Sequence, residues 1–376
     1  MSGIDVRPAR MPQQRRTFLT FPWRVHRDDP LWVPPLLPEY AKRIDPDRGA
    51  FFKRGGEAEF FIAWREGEPV GTICAGHDRF TNERRDTREC LFGFFECVHE
   101  YAVAEALLNC AVRWARQRGL NAVHGPFNLD YEDSYGVLVE GRDRPPALLC
   151  GHTPPYYQTF IERFGFEPAR GDNLAFAFEL KESPALRRLS RLADRVRQHR
   201  DISVRRVNLD DWEGEIDCIH HLLNAALAHL PDHIGWHRGA LEAMLEPFRD
   251  LADPELVLFA EVDGRAVGWF PGIANLNEVF IHVDGLRHPW DYIKLWWHMR
   301  RQPACLSIKS VLVLPEYWGT GVSVLLFDEM ARRARSKEFA WVDLSLTSED
   351  NPHTPILAKR VGAQLYKRYR VYRLHL

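Results

Sequence analysis

Leu312-Val313-Leu314-Pro315-Glu316-Tyr317-Trp318-Gly319-Thr320-Gly321-Val322-Ser323 is the stretch on which the fold of this chain turns. An apolar run stops at Pro315, a turn carries two glycines, and an apolar-periodic segment starts at Val322, which is the outline of a strand, a turn and a helix. Gly319 and Gly321 let the backbone curl and come close to a ligand. The uncapped N–H groups of a helix from Val322 onward, with the positive end of its dipole, attract an anion without any basic side chain. The segment reads either as a pyrophosphate cradle or as a plain tight strand-to-helix turn.

Composition bounds what surrounds it. At 376 residues the chain suits two domains of moderate size, each able to bury a core. A net charge of -2 and a pI near 6.8 supply no concentrated basic face for nucleic acid. The seven cysteines (74, 90, 97, 110, 150, 218 and 305) are odd in number and contain no C-x-x-C pair, which suits reduced thiols rather than a disulfide framework. The N-terminus is polar and proline-broken, with no apolar run long enough for a signal peptide or a membrane span. These features read as a soluble cytoplasmic protein.

The chain repeats itself. Ile62 to Gly71 aligns without gaps on Phe259 to Gly268, each a strand, a charged turn at Gly67 or Gly264, and a returning strand; the offset is 197 residues. Ile161 to Phe166 aligns on Ala358 to Ala363, a helix end with a C-terminal glycine, at the same offset of 197. Val6-Arg7 and Val204-Arg205 occupy matching first strands, and Arg113-Trp-Ala-Arg and Arg332-Arg-Ala-Arg lie late in matching long helices. The last pair is shifted further, so the second half carries extra residues before its glycine loop. Two copies of one α/β unit explain these matches. In the second copy the expected order is a strand at 202–207, a helix at 212–228, a hairpin at 256–270, a strand at 306–314, a helix at 322–337, a strand at 341–346, a helix at 355–361 and closing strands at 365–374. Ser183-Pro184 has the chemistry of a helix start, and Leu186, Leu189, Leu192 and Val196 form one apolar stripe among many arginines, so 183–200 reads as a helical connector between units at 1–182 and 201–376. Its arginines read as a solvated face.

The glycine loop resembles the coenzyme A loop of the GNAT acyltransferase superfamily, Arg/Gln-x-x-Gly-x-Gly/Ala at the start of the third helix. Here Trp318 stands in place of the Arg/Gln, Gly319 and Gly321 fit the pattern, and Ser323 replaces the small final residue. Asn351, followed by Leu357, Ala358 and Gly362, is similar to the family's Asn-x-x-Ala-x-x-Leu-Tyr segment, with Ala358 where a tyrosine often acts as general acid. The resemblance implies two tandem GNAT-like domains, each a mixed twisted sheet flanked by helices. It further implies acetyl-CoA or another acyl-CoA as co-substrate, held by Leu312, Val313, Leu314, Trp318, Gly319, Thr320, Gly321, Val322, Ser323 and Asn351. The acceptor would be a small-molecule amine. The Trp318 indole would either pack beside the coenzyme or plug its entrance. The first copy runs from Phe92 to Tyr101 into its helix with no glycine pair, and Glu96 and Glu100 at that helix start would repel a pyrophosphate. It is therefore the degenerate copy, and the 201–376 half is the acyl-CoA-binding one.

In that superfamily the thioester lies where the fourth and fifth strands part, here Val311 to Leu314 against Leu344 to Thr347. The candidate bases or water-positioning groups are Glu278, in the second half's insertion, and Asp343 and Ser345 on the fifth strand. Tyr366, Tyr369 and Tyr372 are candidates to replace the missing acid or are core residues with a hydrogen-bonded hydroxyl. A non-catalytic coenzyme A or small-molecule binding protein is the alternative, favoured by Trp318 and by the absent tyrosine.

Three further features remain. His229, His233 and His237 recur every fourth residue, but Pro231 and Gly235 break any helix that would present them to a metal, so no metal is expected. The aromatic run His288 to Met299 reads as core or interdomain packing, or as the lining of an acyl or acceptor pocket. The carboxylates of Asn128 to Ser134 read as a surface loop or as a site for a cationic acceptor.

Overall fold

The computed structural model describes residues 3–376 except 130–134, 200, 230–234, 250–251, 352–353 and 361, and leaves out the side chains of 243, 247, 248 and 357. Its repeat is visible first in two turns. Glu66 and Gly67 both have positive φ (50° and 83°), as do Asp263 and Gly264 (49° and 73°). Each pair joins adjacent antiparallel strands through a two-residue loop, the geometry of a type I′ hairpin. Gly165 and Gly362, the other pair at the repeat offset, also share positive φ, at 108° and 88°.

The hairpins seed two sheets among the described residues, one of seven strands and one of nine. In the first the order is Asp5–Pro8, Glu57–Arg65, Glu68–His77, Glu89–Cys97, Ala122–Gly125, Tyr372–His375, Glu167–Pro168. In the second it is Val137–Glu140, Gln364–Arg370, Asn173–Glu179, Trp341–Ser348, Cys305–Ile308, Arg265–Ala274, Val257–Val262, Ile202–Arg206, and Leu312–Val313 pairs with Arg265–Ala274 off that path. The central pairing is parallel in both, Glu89–Cys97 beside Ala122–Gly125 and Cys305–Ile308 beside Trp341–Ser348.

The closing strands are exchanged. Asn173–Glu179, from the first half, sits between Trp341–Ser348 and Gln364–Arg370 of the second. Tyr372–His375, the last strand of the chain, sits between Ala122–Gly125 and Glu167–Pro168 of the first. Phe176 and Tyr372 are accordingly buried in the opposite halves' sheets. Neither half closes its own sheet, so the sheets do not divide the chain where the repeat does.

Pro184–His199 forms the connector helix, with Ser183 Oγ accepting from Leu186 N at 3.1 Å. It packs on the helix Val322–Ser336, and its arginines are not all a solvated face. Arg197 reaches the buried Asp328 at 2.6 Å, and Ser190 donates to the same carboxylate at 2.9 Å.

Two expectations are corrected. The strand expected at 306–314 is broken into Cys305–Ile308 and Leu312–Val313, because the second piece leaves the fifth strand and pairs only with Arg265–Ala274. The extra residues of the second half fill 275–304, where the first copy has only 78–88, and they carry the aromatic helix Pro289–His298. That helix is not core. Trp290, Tyr292, Ile293, Trp296 and Trp297 are exposed, and the side chain it buries completely is the polar Asp291.

Candidate active site

The glycine loop begins where the chain leaves the sheet. Leu312 and Val313 pair with Trp269 and Gly268, and Leu314 N donates to Val267 O at 2.9 Å, so one edge of this short strand is satisfied. The other edge opens away from the fifth strand. Parallel pairing holds from Cys305↔Trp341 to Ile308↔Leu344 and stops there, while on its other edge the fifth strand stays paired with Asn173–Glu179 out to Ser348↔Asn173. The two strands thus part in a wedge at the position expected for a thioester.

Pro315–Tyr317 makes one 3₁₀ turn, and Gly319 and Gly321 then take φ of 75° and 102°, a region that strains any residue with a Cβ. Gly321 is the N-cap of Val322–Ser336 and offers no side-chain acceptor, so that helix's first-turn N–H groups keep the anion-binding character expected of them. A Cβ at Gly321 would lie 2.6 Å from Val196, so the connector helix closes the outer side of the loop. Trp318 is 46 % exposed. Its indole N–H donates to Val313 O at 3.0 Å, and its ring stands edge-on to His229 at 5.0 Å. The indole caps a carbonyl at the mouth of the wedge, where the family pattern has a guanidinium or amide. Asn351 Oδ1 accepts from Thr354 N at 3.0 Å, at the start of the helix Thr354–Arg360.

Behind the wedge lies a buried polar cluster that brings together two of the three catalytic candidates. Asp343 is fully buried and accepts from Ser307 Oγ (2.7 Å), Ser345 Oγ (2.7 Å), Lys309 Nζ (3.2 Å) and Tyr366 OH (2.8 Å). A carboxylate engaged by four donors is a hub that orients its neighbours rather than a free base. Lys309 also donates to Ser345 Oγ at 2.8 Å. Burial alone would lower the Lys309 pKa, but the Asp343 carboxylate carries it above its usual value, so the side chain stays cationic. Burial, and then Asp343, push the Tyr366 phenol well above its ordinary range, which makes it a fixed hydrogen-bond donor. Glu278 stands apart and accepts from Ala304 N (2.7 Å) and Cys305 N (3.0 Å), pinning the start of the fourth strand. Of the other tyrosines, Tyr369 donates to Gly151 O at 3.0 Å, and Tyr372 reaches Glu162 at 2.8 Å in the opposite half. Ala358, at the family's tyrosine position, is buried against Leu174 and Phe176.

The sequence reading missed Lys309, which occupies the break between the two pieces of the fourth strand. A lysine inside an otherwise apolar strand was the signal. It also missed the residues of a cavity of ≈ 240 Å³ in the first half, lined by Trp32, Phe94, Glu96, Cys150, His152 and Tyr157 among others and met by Asn277 and Phe280 from the second. Cys150 links cavity and cluster, its thiol 3.4 Å from Ser345 Oγ. His152 is buried, with Nε2 2.9 Å from Asp29 Oδ2, and its Nδ1 is buried without a hydrogen-bond partner. If Nε2 carries the proton that Asp29 accepts, Nδ1 is left as a lone acceptor. Burial lowers the His152 pKa against the pull of Asp29, which favours that neutral form. Nearby, Glu96 accepts from Tyr157 OH at 2.6 Å and meets His26 Nε2 at 3.2 Å, while Glu100 is paired with Arg65 at 2.7 Å.

Of the histidines considered for a metal, His229 contacts Ala226 O at 2.9 Å through Nδ1 and His233 lies outside the described residues. Among the described residues no group of three or more His, Cys, Asp or Glu is placed to hold a metal ion. In the acidic loop, Asn128 Oδ1 accepts from Phe94 N at 2.6 Å, and residues 130–134 lie outside the described residues.

Comparison with known proteins places this geometry. Residues 220–362 match the Acetyltransferase (GNAT) family. The chain is 27 % identical over 377 residues to the protein named bacterial ceramide synthase of Caulobacter vibrioides, covering 99 % of this chain and 97 % of that one. It is 26 % identical over 368 residues to protein YghO of Escherichia coli K12, covering 95 % and 92 %. Among solved structures it is similar to a tandem GNAT protein from the clavulanic acid biosynthesis pathway, with a TM-score of 0.60 and 13 % identity over 99 % of this chain and 98 % of that one. The family match in the second half, the doubled sheet topology and the end-to-end likeness to a tandem fold lead to one assignment: residues 220–362 carry a GNAT acetyltransferase domain, and the whole chain has the fold of a tandem GNAT protein.

Proposed function

We propose that this protein is an acyl-CoA-dependent N-acyltransferase, with the coenzyme held by the 201–376 copy and the amine acceptor admitted through the cavity of the first half. The observation that carries the reading is the buried, unpartnered Nδ1 of His152, on a cavity that Cys150 joins to the Lys309–Ser345–Asp343 cluster. The curl at Gly319 and Gly321 and the first-turn N–H groups from Val322 would receive the pyrophosphate. Lys309, cationic at the break in the fourth strand, would stabilise the negative charge that grows on the thioester oxygen. Neutral His152 would accept the proton of the attacking amine, with Asp29 stabilising the resulting imidazolium. The new C–N bond forms as the C–S bond breaks, and the proton held on His152 is available to the departing thiolate. The repeat units at 1–182 and 201–376, joined by 183–200, belong to the same proposal, with each unit lending its last strand to the other.

The name of the Caulobacter relative supports a hydrophobic acceptor, since a ceramide is the amide of a long-chain amino alcohol. The cavity is smaller than the roughly 300–1,000 Å³ of typical ligand pockets, so it suits the amine-bearing end of such a molecule. The test is thiol release from acyl-CoA with amines ranging from short alkylamines to long-chain amino alcohols. His152→Ala should lower kcat by about 10²–10⁴-fold while acyl-CoA affinity holds. Undiminished turnover in that variant would remove His152 from the chemistry. The burial of Ala358 in place of a tyrosine favours one competing reading, a coenzyme A or small-molecule binding protein without turnover. Acyl-CoA binding with no thiol release across the whole amine series would establish that reading instead.

A further inference from the structure

The helix Pro289–His298 is amphipathic the wrong way round for a surface helix. Its polar Asp291 faces inward, fully buried, accepting from His288 N and Lys294 Nζ at 3.0 Å each, while its aromatic side faces out. Trp290, Tyr292, Ile293, Trp296 and Trp297 are between 52 % and 69 % exposed, and Met299 extends the patch just past the helix end. Scattered exposed apolar residues are ordinary, but five large ones on a ten-residue helix form a contiguous patch that needs an occupant.

Charge and residue type identify it. Arg287 is paired with Asp284 and Lys294 with Asp291, so the positive charge offered at this face is that of Arg300 and Arg301 at the helix end, in a protein whose overall charge is -2. Arg300 lies over the Trp296 ring at 3.4 Å, so cation and indole form one unit. Tryptophan and tyrosine edged by basic side chains are the residues that settle at the boundary between lipid headgroups and acyl chains, where one end of each ring is dry and the other wet. A second copy of this chain is a poor match, because a two-fold contact through this helix would set its own arginines against each other. No helix among the described residues is long and apolar enough to cross a membrane, so contact through this face would be peripheral.

We infer that Pro289–His298 is a docking helix for an anionic lipid bilayer, its indoles entering the interface and its arginines meeting lipid phosphates. The helix follows Asn277 and Phe280, the two residues of the second half that line the first half's cavity, so docking would set that cavity beside the membrane. The inference rests on the exposed surface and not on acyl transfer.

Co-sedimentation of the full chain with vesicles of equal parts phosphatidylcholine and phosphatidylglycerol tests it, against vesicles of phosphatidylcholine alone. Binding to the anionic vesicles should fall with added salt, and Arg300→Glu with Arg301→Glu should weaken it by roughly tenfold or more. Trp296→Ser with Trp297→Ser should weaken it comparably and abolish a blue shift of tryptophan emission on vesicle addition. Because these side chains are exposed, both double variants should keep the parent's melting temperature and its acyl-CoA binding. Absence of vesicle binding, binding equal in parent and variants, or a Trp296-dependent dimer that ignores vesicles would each overturn the proposal. Vesicle binding is read without turnover, so its failure and a failure of the acyl-transfer reading are separate results.

Discussion

The thiol of Cys150 lies 3.4 Å from the hydroxyl of Ser345, although 195 residues separate them in the chain. Cys150 belongs to the loop that carries His152, and Ser345 to the fifth strand of the second sheet, beside Asp343. Their contact joins the cavity of the first half to the wedge at the broken strand. Burial raises the Cys150 pKa, with Lys309 pulling it back and Asp343 adding to the rise, so the sulfur stays a thiol and acts as packing rather than as a nucleophile. Cys150→Ser should therefore retain turnover within a few-fold of the parent, and a complete loss would reassign the thiol to the chemistry.

The glycine loop gives the next prediction. Gly321→Ala meets both a left-handed backbone and the Val196 side chain, whereas Gly319→Ala meets only the backbone, at about 1–2 kcal/mol. Melting temperatures should rank parent, Gly319→Ala, Gly321→Ala in descending order. Acyl-CoA should stabilise the parent by mass action and Gly321→Asp not at all, because a carboxylate would then stand at the phosphate cradle. Equal stabilisation of the parent and Gly321→Asp would place the coenzyme elsewhere.

Trp318 separates an open site from a closed one. Its indole caps the Val313 carbonyl from an exposed position, so Trp318→Phe should cost no more than about 1 kcal/mol of stability. Trp318→Arg should keep or tighten acyl-CoA affinity by adding a charge-assisted contact to phosphate. If calorimetry finds binding only after Trp318→Ala, the indole is a plug.

One coenzyme should bind per chain. In the first copy Glu100, paired with Arg65, is the N-cap of Tyr101–Gln117 where the second copy has Gly321, whereas Glu96, expected at that helix start, lies inside the strand Glu89–Cys97 and is held by Tyr157 and His26. Titration calorimetry returning two equivalent sites would contradict this asymmetry.

Acid should unfold the protein through His124. Burial, and then Arg373, lower its pKa from 6.5 to about 3, so the unfolded chain binds a proton that the fold resists. Stability from this group is complete above about 6.5 and is lost as the pH falls toward about 3, by a few kcal/mol at roughly 1.4 kcal/mol per unit. His124→Gln should flatten the slope of unfolding free energy against pH in that window. An unchanged slope would assign the acid sensitivity to other groups.

The tandem architecture was written locally. Glu-Gly and Asp-Gly at the same register dictate the two type I′ hairpins, because that turn needs positive φ at both central residues. Pro315 and the glycine pair dictate the turn into Val322–Ser336, and Ser183-Pro184 the start of the connector. Each of these signals acts within a few residues, which is why they are legible without a structure. The proposed site was legible only in part: Asp343 and Ser345 were named from the sequence, Lys309 was overlooked although its place in a largely apolar strand was a signal, and His152 and Asp29 carried none, since nothing in the sequence reveals which distant side chain will meet a buried nitrogen. The exchange of Asn173–Glu179 and Tyr372–His375 lies wholly beyond the sequence pattern. Asn173–Glu179 is a continuous apolar run and Tyr372–His375 a short half-buried strand, and neither carries a local signal of which sheet it joins, because each is placed between two strands contributed by the opposite half. The outward face of Pro289–His298 was decided the same way. Its aromatic pattern alone reads as core, whereas in the fold Asp291 is buried and the indoles lie on the exposed side.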